Sequence, residues 1–175
     1  MLKLRKNKKG FTLVELIVVI AIMAVLAGTV AGVTVSQLNK NTDKTNYTQA
    51  NKIATTISGL ILEDPDTYIN AGTGAASAET PAQPTYDTFK PNIAGTLAGT
   101  NGILTNEFQG KKIEATNAPG KGEFGVYVTA DSKYIVVCFG AKTNAYKKQG
   151  YIIDTEGVVK PVDDFTKDYP MTAGE

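Results

Sequence analysis

Hydrophobic and polar positions along the chain fall into three regimes. Residues 11–35 are apolar on every side, and their only formal charge is Glu15. At about 1.5 Å per residue a helix over this run is roughly 37 Å long, against an apolar bilayer thickness of ~30 Å, so it can span a membrane with some tilt. Over residues 36–64 the pattern turns amphipathic. Tyr47, Ala50, Ile53, Ala54, Ile57, Leu60 and Ile61 recur three and four apart, with Asn, Lys, Thr and Gln on the other side. Asp64-Pro65 supplies a stop. The two regimes together predict one helix of about 50 residues, roughly 80 Å long. The competing arrangement is two helices with a break in residues 37–43, a stretch of weak helix formers.

The third regime has strand character. Residues 70–101 are rich in Ala, Gly, Thr and Pro, with Pro81, Pro84 and Pro91, and read as a long surface loop within a variable segment 65–110. Phe124, Val126 and Val128 alternate with Gly125, Tyr127 and Thr129; Asp131-Ser132 is a turn signal, and residues 134–139 are β-branched and aromatic. Residues 151–154 and 158–160 flank Thr155-Glu156-Gly157 as a second hairpin, and residues 111–115 are a candidate edge strand. The expected architecture is α+β, with the long amino-terminal helix packed through its amphipathic half on a small antiparallel sheet of about four strands. The divisions are 1–10, 11–35, 36–64, 65–110 and 111–175, the last comprising the sheet and a tail.

Composition changes this picture mainly through charge. The chain has 175 residues, 18 basic and 17 acidic side chains, no His, no Trp and one Cys. Five of the basic residues, Lys3, Arg5, Lys6, Lys8 and Lys9, fall in the first nine positions, which leaves 13 basic against 17 acidic, a net charge of −4. A basic cluster before an apolar span keeps that end in the cytoplasm and sends the rest of the chain outward. A His relay, a Cys/His zinc site and an internal disulfide are all excluded by the inventory. No cofactor and no metal is expected, and nothing in the carboxyl-terminal part suggests catalysis. The acidic balance beyond the first nine residues, with Lys111-Lys112 and Lys147-Lys148 as dispersed pairs, argues against long-range attraction to nucleic acid.

An ordinary secretory signal would have a shorter apolar core and a small-x-small cleavage site, and Ala21, Ala24, Ala27 and Ala31 form no Ala-x-Ala. Their spacing places them on one helical face, near the Gly28-x-x-x-Gly32 pair that lets helix backbones approach in an apolar medium. Glu15 is the residue that demands a reason: a carboxylate deep in an apolar span costs on the order of 2.5–3.5 kcal/mol.

The stretch Lys8-Lys9-Gly10-Phe11-Thr12-Leu13-Val14-Glu15-Leu16, continuing through Ile22, closely resembles the amino-terminal signature of type IV pilins and pseudopilins. The resemblance implies cleavage between Gly10 and Phe11 by a membrane prepilin peptidase, which also methylates Phe11 to N-methylphenylalanine. It implies assembly through Phe11 and Glu15, the carboxylate pairing with the Phe11 amine of a neighbouring subunit and fixing the axial offset. A Gly before the cut bond leaves the peptidase unobstructed. The implied partners are other copies of the chain in a helical homopolymer, the peptidase/methyltransferase, an assembly platform and ATPase, minor pilins, and the membrane before assembly. The implied location is the cytoplasmic membrane as a single-pass precursor with its amino end inside, then a pilus on the cell surface. Many type IV pilins have a proline where this chain has Gly32, so unwinding near residues 28–32 would here rest on glycine.

The leading expectation is therefore a non-enzymatic pilus subunit. The alternatives are a pseudopilin of a type II secretion or DNA-uptake machine, and an exported domain on an uncleaved anchor. Three weaker signals remain. Cys138 lies in an apolar strand and reads as a core residue. Asp154, Glu156, Asp163, Asp164 and Asp168 lack calcium-loop spacing and read as a solvated acidic tail. Asn46-Tyr47-Thr48 matches the glycosylation tripeptide but lies on the predicted helix.

Overall fold

The computed structural model describes residues 10–69, 84–86, 96–100 and 102–171, with the side chain of Ala31 excepted. The basic run 1–9 and most of the Ala/Gly/Thr/Pro loop lie outside the described residues. Helix α1 runs Leu13–Glu63 without interruption, through both the 28–32 glycines and the 37–43 stretch. It ends where the sequence says it must. Asp64 leaves the helical region (φ −140°, ψ 72°), because the ring of Pro65 disfavours a helical residue before it. The Asp64 carboxylate then caps the one-turn helix α2, Pro65–Tyr68, accepting from Thr67 N.

The chain divides into two compact units, Met1–Asn39 and Lys40–Glu175. In the second, the predicted stripe is buried: Ala50, Ile53, Ala54 and Ile57 have no exposed surface and Ile61 almost none, while Tyr47 and Leu60 are partly buried against the same core. Each of the isoleucines contributes about 1.5–3 kcal/mol by leaving water.

The sheet has five strands in the order β1-β2-β3-β4-β5: Ile113–Glu114, Phe124–Val128, Tyr134–Phe139, Gly150–Asp154 and Val159–Val162. The pairs β2–β3, β3–β4 and β4–β5 are antiparallel, with Val126 opposite Val137 and Val136 opposite Ile152. Pro161 sits in β5, an edge strand, where a missing N–H is tolerated. The expected antiparallel sheet of about four strands needs one correction. The segment 111–115 does add an edge strand, but β1 is two residues long and runs parallel to β2. The backbone after it passes so close to β2 that a Cβ on Gly125 would collide with the Thr116 carbonyl oxygen, which only glycine permits.

Alternation along the strands separates two cores. Phe124, Val126, Ile135, Val137, Phe139 and Ile153 face α1. Tyr127, Val136, Cys138 and Ile152 face the other way and are covered by the carboxyl-terminal segment. There Asp164 caps helix α4, Phe165–Asp168; a further short helix, α3, spans Ile103–Glu107 before β1. Phe165 packs edge-on to Tyr127, Tyr169 packs edge-on to Tyr134 at 5.1 Å, and Tyr127 Oη donates to Tyr169 O at 2.9 Å. The tail is thus more than a solvated acidic run: Asp163 and Asp168 are exposed, but Asp164 caps α4 and the aromatics close the second face of the sheet.

Candidate processing and assembly site

Gly10, Phe11 and Thr12 precede α1 in non-helical backbone. Phe11 is 91% exposed and nothing lies within 4 Å of a Cβ built on Gly10. The Gly10–Phe11 peptide bond is therefore open and outside the helix, a chain conformation a peptidase can engage without melting a turn. Thr12 and Glu15 then form both halves of a capping box. Thr12 N donates to Glu15 Oε2 at 2.8 Å, and Glu15 N donates to Thr12 Oγ1 at 3.3 Å. The Thr12 hydroxyl also donates to Oε2, at 2.9 Å. Sequence reading singled out Glu15 for its charge and overlooked Thr12. The signal was present as Thr-x-x-Glu immediately before an apolar run.

This arrangement gives Glu15 two capacities at once. As the third helical residue it lies near the positive end of the helix dipole, which favours its charged form. Both hydrogen bonds that the carboxylate accepts use Oε2, so among the described residues Oε1 accepts none and keeps its lone pairs for a further donor.

Beyond the box, the side chains over the apolar first half of α1 are uncovered among the described residues. Leu13, Leu16, Met23, Val25 and Val33 are each more than half exposed. Among the described residues α1 is the one helix long and apolar enough to cross a membrane, with a mean hydropathy of 2.8 in a window none of which is buried. Thr29 and Thr34 do not interrupt it, because their hydroxyls donate back to Leu26 O and Val30 O. Among the described residues nothing lies within 4 Å of a Cβ at Gly28 or Gly32, so none of them makes use of that smallness.

Residues 5–31 match the family model described as the prokaryotic N-terminal methylation motif. They carry the type IV pilin and pseudopilin signature. The pilin signature implies processing by a prepilin peptidase and assembly in type IV pilus-like systems, and the family it marks is structural rather than catalytic. With the apolar amino-terminal helix, it fits a membrane-anchored precursor. Comparisons with curated proteins and with solved structures found no match.

The weaker sequence signals take structural places. Asp154 closes the β4–β5 turn, accepting from Glu156 N, Val158 N and Lys160 Nζ. Asp164 accepts from Lys148 Nζ at 2.8 Å and from Thr166; the Lys148 bond above all holds its carboxyl at about 2. Among the described residues no group of three His, Cys, Asp or Glu side chains could hold a metal ion. Asn46 is buried on α1, so the glycosylation tripeptide is closed in the folded chain.

Cys138 is buried against the tail, and desolvation pushes its thiol up to about 12. At pH 8 only on the order of one molecule in 10⁴ carries the reactive thiolate. Folded protein is therefore expected to leave a maleimide unreacted over an hour and to label fully in denaturant, read by intact mass. Rapid labelling of the folded chain would mean that the tail does not cover β3.

Proposed function

We propose that the chain is the structural subunit of a bacterial type IV pilus. It is cut between Gly10 and Phe11, N-methylated on Phe11 and polymerised through its amino-terminal helix, with Glu15 of one copy paired to the Phe11 amine of another. The observation that carries this reading is the uncovered apolar face of α1 directly behind the methylation signature, since an apolar surface of that length must be covered by lipid and then by other helices. The segments then divide by task. Residues 1–10 orient the precursor and are discarded; 11–35 anchor and then assemble; 36–64 dock on the sheet; 65–110 and 111–175 form the exposed head. Removal of the leader takes five positive charges with it and leaves a subunit near −4 with a single new amine beside its helix. The subunit itself performs no catalysis. Its partners are further copies, the peptidase/methyltransferase, the assembly platform with its ATPase, and minor pilins, and its destination is the cell surface.

The test is the amino terminus of protein isolated from sheared filaments. Mass spectrometry is expected to find Phe11 first, heavier by one methyl group. An intact Met1 would replace this reading with an uncleaved anchor. Gly10→Val places a branched side chain beside the cut bond and is expected to leave full-length precursor in the membrane; mature-length protein from that variant would put the cleavage elsewhere.

A further inference from the structure

The unit Lys40–Glu175 has two chemically different ends. At one, the last turns of α1 meet the β4–β5 turn: Ser58 Oγ donates to Gly157 O, and Leu62 lies within van der Waals reach of Gly157. Leu62 and the neighbouring Val158 form an apolar knob there, 65% and 44% exposed. Exposed carboxylates adjoin it along the chain: Glu63 follows Leu62, Asp66 lies on α2, and Glu156 precedes Gly157 in the turn. The last turn of α1 contains no basic residue, so the negative end of the helix dipole meets further negative charge with no cation of its own helix to offset it.

At the opposite end, where the β3–β4 connection packs on the start of this unit's helix, lies a groove of about 390 Å³. Its apolar lining comes from Ala118, Pro119, Phe139 and Phe165. Lys121, Lys147 and Lys148 line it as well. Asp164 neutralises Lys148, whereas Lys121 and Lys147 join no ion pair among the described residues. One end of the unit is thus an apolar knob among carboxylates, the other an apolar groove among lysines.

We propose that the occupant of the groove is a second copy of this chain, with Leu62 and Val158 of one head seated between Ala118 and Phe165 of the next, and Glu63 and Glu156 facing Lys121 and Lys147. The two patches differ, so the contact is heterologous and repeats from copy to copy without self-pairing, as an open helical filament requires. Opposite charges select this register and repel knob against knob or groove against groove. The inference rests on the filament reading above and adds to it a head contact outside the apolar helix.

The experiment uses the full chain, assembled in cells. Val158→Cys with Ala118→Cys in one chain is expected to give a ladder of disulfide-linked multimers from oxidised filaments, and neither single variant should do so; Cys138 is buried and adds no background. Lys121→Glu with Lys147→Glu is expected to lower filament yield about tenfold, since like charges then meet across the contact. Adding Glu63→Lys and Glu156→Lys to that chain should restore it, with precursor levels in the membrane unchanged throughout. Wild-type filaments with methylated Phe11 but no ladder, and no loss on charge reversal, would overturn the head contact and leave the filament reading standing. A loss that the carboxylate-to-lysine changes fail to restore would assign the lysines to some other acidic surface, such as anionic lipid, and overturn the pairing. Absence of wild-type filaments would remove both.

Discussion

Glu15→Gln is expected to give a protein that inserts, is cut after Gly10 and is methylated, yet assembles at least about a hundredfold less than wild type. That factor corresponds to ~3 kcal/mol, the lower end of what breaking a buried ion pair costs. Gln is the informative substitution because the proposed assembly gives Glu15 a second job beside its capping contacts. It accepts from Thr12 N and Thr12 Oγ1 at the start of α1, and a Gln carboxamide oxygen can accept those same bonds. What Gln cannot supply is the negative charge. In a bundle of apolar helices the new Phe11 amine would then be buried without a counter-charge, and the filament would lose the contact that sets its axial offset. Thr12→Ala makes the reciprocal change. It removes the capping hydroxyl at a cost of about 1 kcal/mol and keeps the carboxylate, so filaments should persist. Yields of sheared filaments, set beside the membrane pool of processed subunit, separate assembly from processing. If Glu15→Gln assembles normally while Glu15→Ala does not, the cap is the requirement and the intersubunit charge pair is wrong.

Much of this molecule is legible before any coordinates, and the exceptions share a cause. Periodicity alone located the buried face of α1, because Ile53, Ile57 and Ile61 repeat at helical spacing on a surface that is otherwise polar. Strands β2 to β4 and the turn between β4 and β5 followed from alternation and turn residues. The direction of β1 did not, since a two-residue strand carries no periodic signal and its pairing is decided by where the rest of the sheet leaves an open edge. Tyr86 was equally hidden. It lies in a stretch without pattern, yet is fully buried, with its hydroxyl donating to Asp154 O and its N–H to Ser132 O. The tail misled in the opposite sense, because closely spaced acids masked the spacing of Phe165, Tyr169 and Met171, which only a sheet face gives meaning. At the amino terminus the motif named Gly10, Phe11 and Glu15, but a reading organised around charge passed over the hydrogen-bonding role of Thr12.

Asp43 is the other residue whose replacement should have a large effect. It falls in the run of weak helix formers where a break in α1 was conceivable, and the helix passes through it intact. Its side chain is fully buried, and its carboxylate accepts from Lys142 N at 2.8 Å, Thr143 N at 2.7 Å and Thr143 Oγ1 at 2.6 Å. An indifferent helix former stands here because the β3–β4 connection needs an acceptor for two adjacent backbone N–H groups that no strand provides. Each buried donor left without an acceptor costs ~1–3 kcal/mol, so Asp43→Ala is expected to destabilise the head by about 3 kcal/mol or more. Asp43→Asn keeps the volume but turns an amide group toward a donor, and should fall between Ala and wild type. Thr143→Val, which removes only the hydroxyl, should cost about 1 kcal/mol. Thermal unfolding of the detergent-solubilised full chain reads the order of the three, and limited proteolysis in residues 140–149 reads the place. Tyr47 stacks beside the same connection, 6.0 Å from Tyr146 and 4.9 Å from Tyr151, so losing the carboxylate also loosens that aromatic cluster. An Asp43→Ala protein that melts with wild type and resists cleavage there would show that the connection holds itself. If instead the connection is released, Lys147 and Lys148 lose their placement along the groove, and filament yield should fall with the melting temperature even though α1 and its capping box are untouched.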